Sequence, residues 1–405
     1  VRKIDLSNFQ VATSGTARDI NRRIVLNLVR KLQPVSRADL ARQSGLQRST
    51  VSAIAEELIA DRWVTEGALG HLPRGRKPTF LHLNPERAGI VGVDVQPVTT
   101  TLAVANMDGR FWAQESIPTG TDPVDFVARL GRRILDLVRA HPRSSYEGIG
   151  VSMPGRIDAA TQQLTFAPNL GWSMLDLKTP LERITGLPVE LENAANACAL
   201  SELWAGRHGD PTRNLLAVTV AEGIGVGMIM NGQLFRGSTG VAGEFGHVSL
   251  VQDGPLCRCG NRGCWEVLAS NSAAVRYYTQ SASVRRGDVG SKSAANNNSV
   301  SFRDLLRLVD QGDVKAGKSL DEMAHYLGLG IAMLVTGLAP DVVVVVGEVT
   351  RAWHRVGPII AQTLKDRSFT HAATRVLPID PEPQPRLRGT IALVLLKHFG
   401  APFVA

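Results

Sequence analysis

Three of the chain's four cysteines fall within eight residues, in the stretch GEFGHVSLVQDGPLCRCGNRGCWE from Gly243 to Glu266. With the histidine upstream, the spacing is His247-x9-Cys257-x-Cys259-x4-Cys264. Four soft or borderline donors at such short range suit one tetrahedral Zn²⁺ ion per chain. Four protein ligands would close the coordination sphere, so the ion would be structural rather than water-activating. Gly260 and Gly263 would let the chain turn tightly around it. A redox switch and a set of buried, metal-free thiols are the alternatives, and a redox pair explains neither His247 nor the third thiolate. Cys198 lies in a helical run and reads as a packed small hydrophobe.

A chain of 405 residues has room for two or three domains. Its 44% hydrophobic and 20% charged content fits a soluble globular protein. No apolar run is long enough for a membrane span, and no secretory leader is recognisable, so a cytoplasmic protein with reduced cysteines is expected. The charge is lopsided. Residues 1–85 carry 14 Lys/Arg against 7 Asp/Glu, whereas the remainder carries 31 against 30. Nearly all of the net charge of +8 therefore sits at the N-terminal end, which suits a module that meets a polyanion or, equally, a solvated basic surface.

The pattern there agrees. Residues 1–18 read as a loose arm. From Asp19 the spacing of Ile20, Ile24, Leu28 and Leu32 predicts a helix, with Leu26 and Val29 beside that face, and Pro34 ends it. Ser36 opens a second helix with the spacing of a capping box closed by Asp39, and Gly45 breaks it. A third helix runs from about Arg48 to Ala60, burying Val51, Ile54, Ala55 and Leu58. Helix, helix, short glycine turn, helix is a helix-turn-helix plan, in which the first turn of the last helix faces base edges. Gln47, Arg48, Ser49, Thr50 and Ser52 hold those positions and can hydrogen-bond bases. Two strand-like runs follow, RWVTEG and FLHLN, with Arg74, Arg76 and Lys77 between them. That is the form of a β-hairpin wing, whose cations suit a minor groove or flanking phosphates. DNA is the expected partner of residues 19–84.

Asn84–Gly89 reads as a linker, and beyond it the chain changes class. Three strands, a helix over about Val124–Ala140 and a strand ending at SMPG make an α/β plan. The theme recurs in NLLAVTV, GVGMIMNG and DVVVVVGEVT, which leads to a helix near Trp353–Leu364. Two related α/β lobes with a cleft between them are expected. They cover 88–200, completed by a C-terminal helix at 386–400, and 201–385, which holds the metal site. Ser281–Val300 is rich in Ser and Asn and reads as a mobile surface insert.

Two stretches carry a family resemblance, ENAANACALSELWAG at 192–206 and AEGIGVGMIMNGQLFRGSTGVAGEFGHVSL with CRCGNRGCWE at 221–266. From about Gly89 onward the chain resembles the ROK family (repressors, open reading frames, sugar kinases), with its actin-like/hexokinase fold. The winged helix in front resembles the family's repressor branch. The resemblance implies that His247 binds zinc through one ring nitrogen and faces a sugar with the other. The metal would then brace a sugar site, fixing the ring as outer-shell partners do. It further implies that Asn169, Asn193, Glu244 and Glu266 hydrogen-bond the sugar, as a neutral polyol requires.

A sugar kinase also needs a general base and phosphate-cradling loops. Where the family's kinases carry that base, this chain has Ala194 in Glu192-Asn193-Ala194-Ala195-Asn196. The family's Asp-x-Gly-Gly-Thr loop is Asp94-Val95-Gln96-Pro97-Val98-Thr99, and Pro97 has no N–H to offer a phosphate. Its Gly-Thr-Gly loop is Ala221-Glu222-Gly223, and its late Gly-Gly is Gly347-Glu348. Each acidic residue there would repel a triphosphate. The expected function is a DNA-binding regulator, not an enzyme, controlled by a sugar or sugar-phosphate effector and working as a homodimer or homotetramer. A sugar kinase with an accessory DNA-binding domain, and a zinc-braced module that takes a protein partner, are the other readings.

Overall fold

The computed structural model describes residues 14–69, 79–206, 212–283, 300–367, 373–380, 382 and 384–400. Arg74, Arg76 and Lys77 lie outside them, as do most of the Ser281–Val300 segment and most of the expected N-terminal arm.

Helix α1 spans Ser14–Leu32, so it starts earlier than the expected Asp19. Its buried face is Val25, Leu26 and Val29, whereas Ile24 and Leu32 are each more than a third exposed. The four-residue stripe therefore misjudges the face by about one position. Packing against its neighbours selects the stripe one residue on. Strand β1 (Val35–Ser36) leads to α2 (Arg37–Ser44), capped by Ser36 and Asp39 in a complete capping box, and Gly45 ends it in the left-handed conformation. Helix α3 (Arg48–Ala60) buries Val51, Ile54, Ala55 and Leu58 as expected. Strands β2 (Val64–Leu69) and β3 (Thr79–Leu83) pair antiparallel, and β1 adds to β3. This is a winged helix-turn-helix.

The turn at 84–88 is tied at both ends rather than loose. The Asn84 N–H donates to Trp63 O and the Met107 N–H to Pro85 O, and Ala88 is fully buried.

The first lobe is built from β4 (Gly89–Val95), β5 (Thr99–Ala105), β6 (Phe111–Pro118), α4 (Pro123–Ala140) and β7 (Tyr146–Met153). Short strands β8 (Arg156–Ile157), β9 (Leu164–Ala167) and β10 (Trp172–Leu175) follow, then α5 (Lys178–Thr185), β11 (Val189–Asn193) and α6 (Ala194–Ala205). The second lobe has β12 (Leu215–Val220), β13 (Ile224–Met230), β14 (Gln233–Leu234), α7 (Trp265–Ala269), α8 (Asn271–Ser283), α9 (Phe302–Asp310) and α10 (Val314–Leu338). It ends with β15 (Val342–Val346), α11 (Trp353–Arg367) and β16 (Arg375–Ile379), after which the C-terminal helix α12 (Pro385–Phe399) returns to the first lobe.

The two main sheets share one topology. Their orders are β11-β7-β4-β5-β6 and β14-β13-β12-β15-β16. In each, three antiparallel strands run side by side and two further strands add in parallel. Two related α/β lobes are thus present.

The boundary expected at 200/201 falls inside α6, an unbroken helix. The reason is its double engagement. It follows β11 directly, and its first turns pack against β13, where a side chain at Gly225 or Gly227 would meet Ala195. Helix α12 lies against β4 and β7, where Thr390 fills the space left by Gly92 and Gly150. Its Gly389 touches the α6 backbone at Ala197. The paired helices α6 and α12 thus connect the lobes. The winged helix shares their core: Leu26, Trp63, Val64 and Leu83 cluster with Ile90, Met107, Val394 and Phe399.

Candidate metal centre, ligand site and nucleic-acid interface

The ligating atoms of His247, Cys257, Cys259 and Cys264 all lie within 4.8 Å of one another. Cys257 Sγ stands 3.6 Å from His247 Nδ1, and Cys259 Sγ 3.7 Å from Cys264 Sγ. A tetrahedral ion with metal–sulfur bonds of about 2.3 Å needs donors about 3.8 Å apart. The four side chains fit that demand. Burial, followed by the neighbouring thiols, pushes the Cys264 thiol up to about 12. Three thiolates in such a space require a cation, so this His/Cys₃ group could hold a metal ion. Gly263 and Gly260 both have positive φ, and the Gly263 Cα packs on the Val251 carbonyl. Cys198 is fully buried in α6, and burial pushes its thiol to about 12, as suits a packing residue.

The metal loop is anchored by Trp265, whose fully buried ring packs on Gly330 and donates to Tyr326 O at 3.0 Å. This fixes the next residue, Glu266. Its Oε2 accepts from the Ile224 N–H at 3.2 Å, and its Oε1 is 4.0 Å from Cys257 Sγ. Glu244 and His247 begin and end one turn of 3₁₀ helix. With Nδ1 beside Cys257, the His247 Nε2 points the other way and lies 3.7 Å from Glu244 Oε2. Asn169 reaches the same loop from the first lobe, its Oδ1 accepting from Arg258 Nη1 at 2.8 Å. Glu244, His247, Glu266 and Asn169 are thereby linked around the metal loop. Asn193 is held differently. Its Oδ1 caps α6 by accepting from the Ala195 N–H, and its Nδ2 donates to Gly155 O at 2.6 Å. Sequence reasoning passed over Arg258 and also Arg236, which pairs with the buried Glu192 at 2.8 Å. Only the opposite charges of those two residues could have hinted at that pair.

The residues at the expected phosphate-loop positions have local partners. Gln96 Nε2 donates to Asp94 Oδ2 at 2.7 Å, and Arg386 lies 3.6 Å from the same oxygen. Glu222 accepts from Ser272, and Glu348 pairs with Arg303. Ala194 is the first residue of α6.

In the winged helix, Gln47, Arg48 and Ser49 are exposed at the start of α3, and Thr50 and Ser52 are half-buried. Gln47 makes no side-chain cap, which leaves the first N–H groups of α3 open to an anion. Arg18, Arg22, Arg37 and Arg42 are all in ion pairs, whereas Arg48 has none among the described residues. The wing cations lie outside the described residues.

The winged helix is also wired to α6 and α12. Arg30 Nη1 donates to Trp204 O at 3.2 Å, and Asn27 Nδ2 donates to Phe399 O at 2.9 Å. At the same seam Glu147 binds His398 at 2.9 Å and pairs with Arg87, which stacks on Trp63.

A two-lobed, sugar-kinase-type body behind a winged helix is thus the class that fold and geometry define. The chain belongs to the ROK family, whose model matches residues 90–395. It is 29% identical over 342 residues to the xylose repressor of Bacillus subtilis (strain 168), covering 82% of this chain and 83% of the repressor. It is 32% identical over 293 residues to a glucokinase of Halalkalibacterium halodurans, covering 71% and 87%. Among solved structures, a ROK family transcriptional regulator, homolog of the E. coli MLC protein, superposes with a TM-score of 0.80. It covers 95% of this chain and 98% of the other at 24% identity, which establishes the shared fold. Among the described residues no helix is long and apolar enough to cross a membrane.

Proposed function

We propose that this protein is a sugar-responsive transcriptional repressor without kinase activity, working on DNA in the cytoplasm. Residues 19–84 form its DNA-binding unit, with α1 included from its start, and the two lobes form its sensor. Gln47, Arg48, Ser49, Thr50 and Ser52 read bases, and Arg74, Arg76 and Lys77 hold the backbone. One Zn²⁺ ion on His247, Cys257, Cys259 and Cys264 stiffens the loop that presents Glu244, His247 and Glu266. With Asn169 and Asn193 these bind a sugar or sugar derivative. The ion supplies no reaction chemistry, because its four protein ligands leave no open position.

The observation that carries this reading is the contrast between the two sides of the body. The sugar-side carboxylates and histidine gather at the metal loop. At the positions of the family's phosphate loops, Gln96, Glu222 and Glu348 each hold a separate partner within the chain, Asp94, Ser272 and Arg303. The similarity to a xylose repressor over 82% of the chain supports it further. Paired half-sites call for paired recognition helices, so the working form is a symmetric oligomer. The rival is an active sugar kinase, favoured by the resemblance to glucokinases.

The test is fluorescence anisotropy of a labelled fragment from the gene's own upstream region, titrated at fixed salt with and without free and phosphorylated monosaccharides. A shift of about tenfold in DNA affinity by one sugar is the expected result. Specific DNA binding that no sugar alters would reject the sensor, and ATP-dependent sugar phosphorylation would establish the rival.

A further inference from the structure

We infer that Arg258 is a positioning residue for the ligand site, acting through Asn169; the inference rests on the sugar-binding reading above. Arg258 stands between two metal-binding thiols, and its backbone is fixed on both sides. The Cys257 N–H donates to Asn261 O at 2.7 Å and the Gly260 N–H to Cys257 O at 3.0 Å. Leu256 and Arg262 form a bridge across the same turn. From this fixed base the guanidinium crosses to the other lobe and donates to Asn169 Oδ1 at 2.8 Å.

The receiving end is equally constrained. Asn169 lies in a tight turn in which the Leu170 N–H donates to Ala167 O at 3.0 Å and the Gly171 N–H to Pro168 O at 3.3 Å. Ala167, Leu170 and Trp172 are buried in the first lobe's core. The Trp172 indole donates to Thr121 O at 3.1 Å. A hydrogen bond between two rigid turns on opposite lobes has two consequences.

The first concerns the amide. An asparagine whose oxygen is held by a guanidinium presents its NH₂ on the other edge. Asn169 is therefore set to donate its NH₂ to a ligand oxygen. The second concerns the lobes. They cannot part along this face without breaking a charge-assisted hydrogen bond, which is stronger than a neutral one. Arg258 thus holds the site closed and its amide oriented, and the ligand leaves when that bond opens. Lysine offers a point charge rather than a planar fork, so it restores closure only in part.

The experiment follows release of D-xylose and D-glucose from the full-length protein by stopped-flow tryptophan fluorescence, since Trp172 and Trp265 flank the two turns. Bound zinc is measured in each sample. Arg258→Ala is expected to release sugar about tenfold faster with its zinc retained, with Arg258→Lys intermediate. In an Asn169→Ala background, Arg258→Ala is expected to add nothing. Wild-type release from Arg258→Ala, or an undiminished effect in the Asn169→Ala background, overturns the inference while leaving the sugar site intact. Should Arg258→Ala lose its metal, Asn169→Asp decides. It leaves the metal loop untouched and must release sugar more slowly than Asn169→Ala, and equal rates overturn the inference. A wild-type protein that binds neither sugar defeats the sugar reading, and this inference with it.

Discussion

The guanidinium of Arg30 stacks 4.2 Å from the ring centroid of Trp204, at the far end of the helix that Asn193 caps. One helix therefore has a candidate ligand residue at its start and the winged helix at its end. Burial lowers the Arg30 pKa, and its Nε is buried without a hydrogen-bond partner among the described residues. That is a costly arrangement for mere packing.

Replacing Arg30 by Met keeps the volume and removes the charge. Because a cation–π contact of about 1 kcal/mol and the hydrogen bond to Trp204 O are lost while a poorly solvated cation is relieved, stability should fall by no more than about 1 kcal/mol. Sugar affinity should stay within about twofold, and the sugar-induced change in DNA affinity should fall well below tenfold. Parallel sugar titrations and anisotropy measurements check this; an undiminished DNA response would rule α6 out as the route.

Glu147 gives a pH signature. Its hydrogen bond from His398, then those from Arg87, lower its pKa from 4.5 to about 2. A carboxylate with a depressed folded pKa stabilises the protein above its unfolded value, and that contribution fades as pH falls from about 4.5 toward 2. Glu147→Gln should cost about 1–2 kcal/mol at pH 7, less than a fully buried pair would, and should flatten the acid limb of the stability curve. Thermal melts across pH 2–7 test this, and parallel curves for the two proteins would contradict it.

Metal analysis should find one zinc per chain. Cys264→Ser, at a fully buried position, should lower the melting temperature more than Cys259→Ser at an exposed one. Both should weaken sugar binding about tenfold or more through Glu244, His247 and Glu266. Sugar binding that survives complete removal of zinc would break the link between metal and site.

Arg48→Ala should erase preference between cognate and scrambled DNA at the base it reads, a loss of about 1–3 kcal/mol. Arg76→Ala and Lys77→Ala should weaken all sequences alike and reduce the salt slope by about one each. Competition binding at several salt concentrations separates the two classes. Unchanged selectivity in Arg48→Ala would remove α3 from the major groove.

Restoring a carboxylate with Ala194→Asp should not restore a kinase. A general base contributes about 10²–10⁴-fold, but Gln96, Glu222 and Glu348 would still occupy the phosphate side. A coupled assay with D-glucose and ATP should stay at background. Turnover would mean that the loops retain more than their side-chain partners suggest.

Local signals carried much of this molecule. Ser36, Asp39 and Gly45 fix the ends of α2 through contacts within a few residues, so they are readable without the fold. The cysteine spacing is likewise local, and so is the duplicated strand pattern of the lobes. What escaped depends on distant partners. Which stripe of α1 is buried is decided by packing, so Ile24 and Leu32 face outward. That α6 runs through an expected domain boundary follows from packing against β13 and α12, which its sequence does not announce. The partner of Arg258 is Asn169 on the opposite lobe, so nothing in its own stretch of sequence points to its role.

The N-terminal module does not end at a clean surface, because Leu26, Trp63 and Leu83 share a core with Ile90, Val394 and Phe399. Phe399 lies 372 residues from Asn27, from which its carbonyl accepts a hydrogen bond, so segments far apart in sequence must come together before that core closes. Head and body are therefore joined through one continuous core. Grafting this reader onto a relative's sensor should yield a poorly joined hybrid unless α12 travels with it.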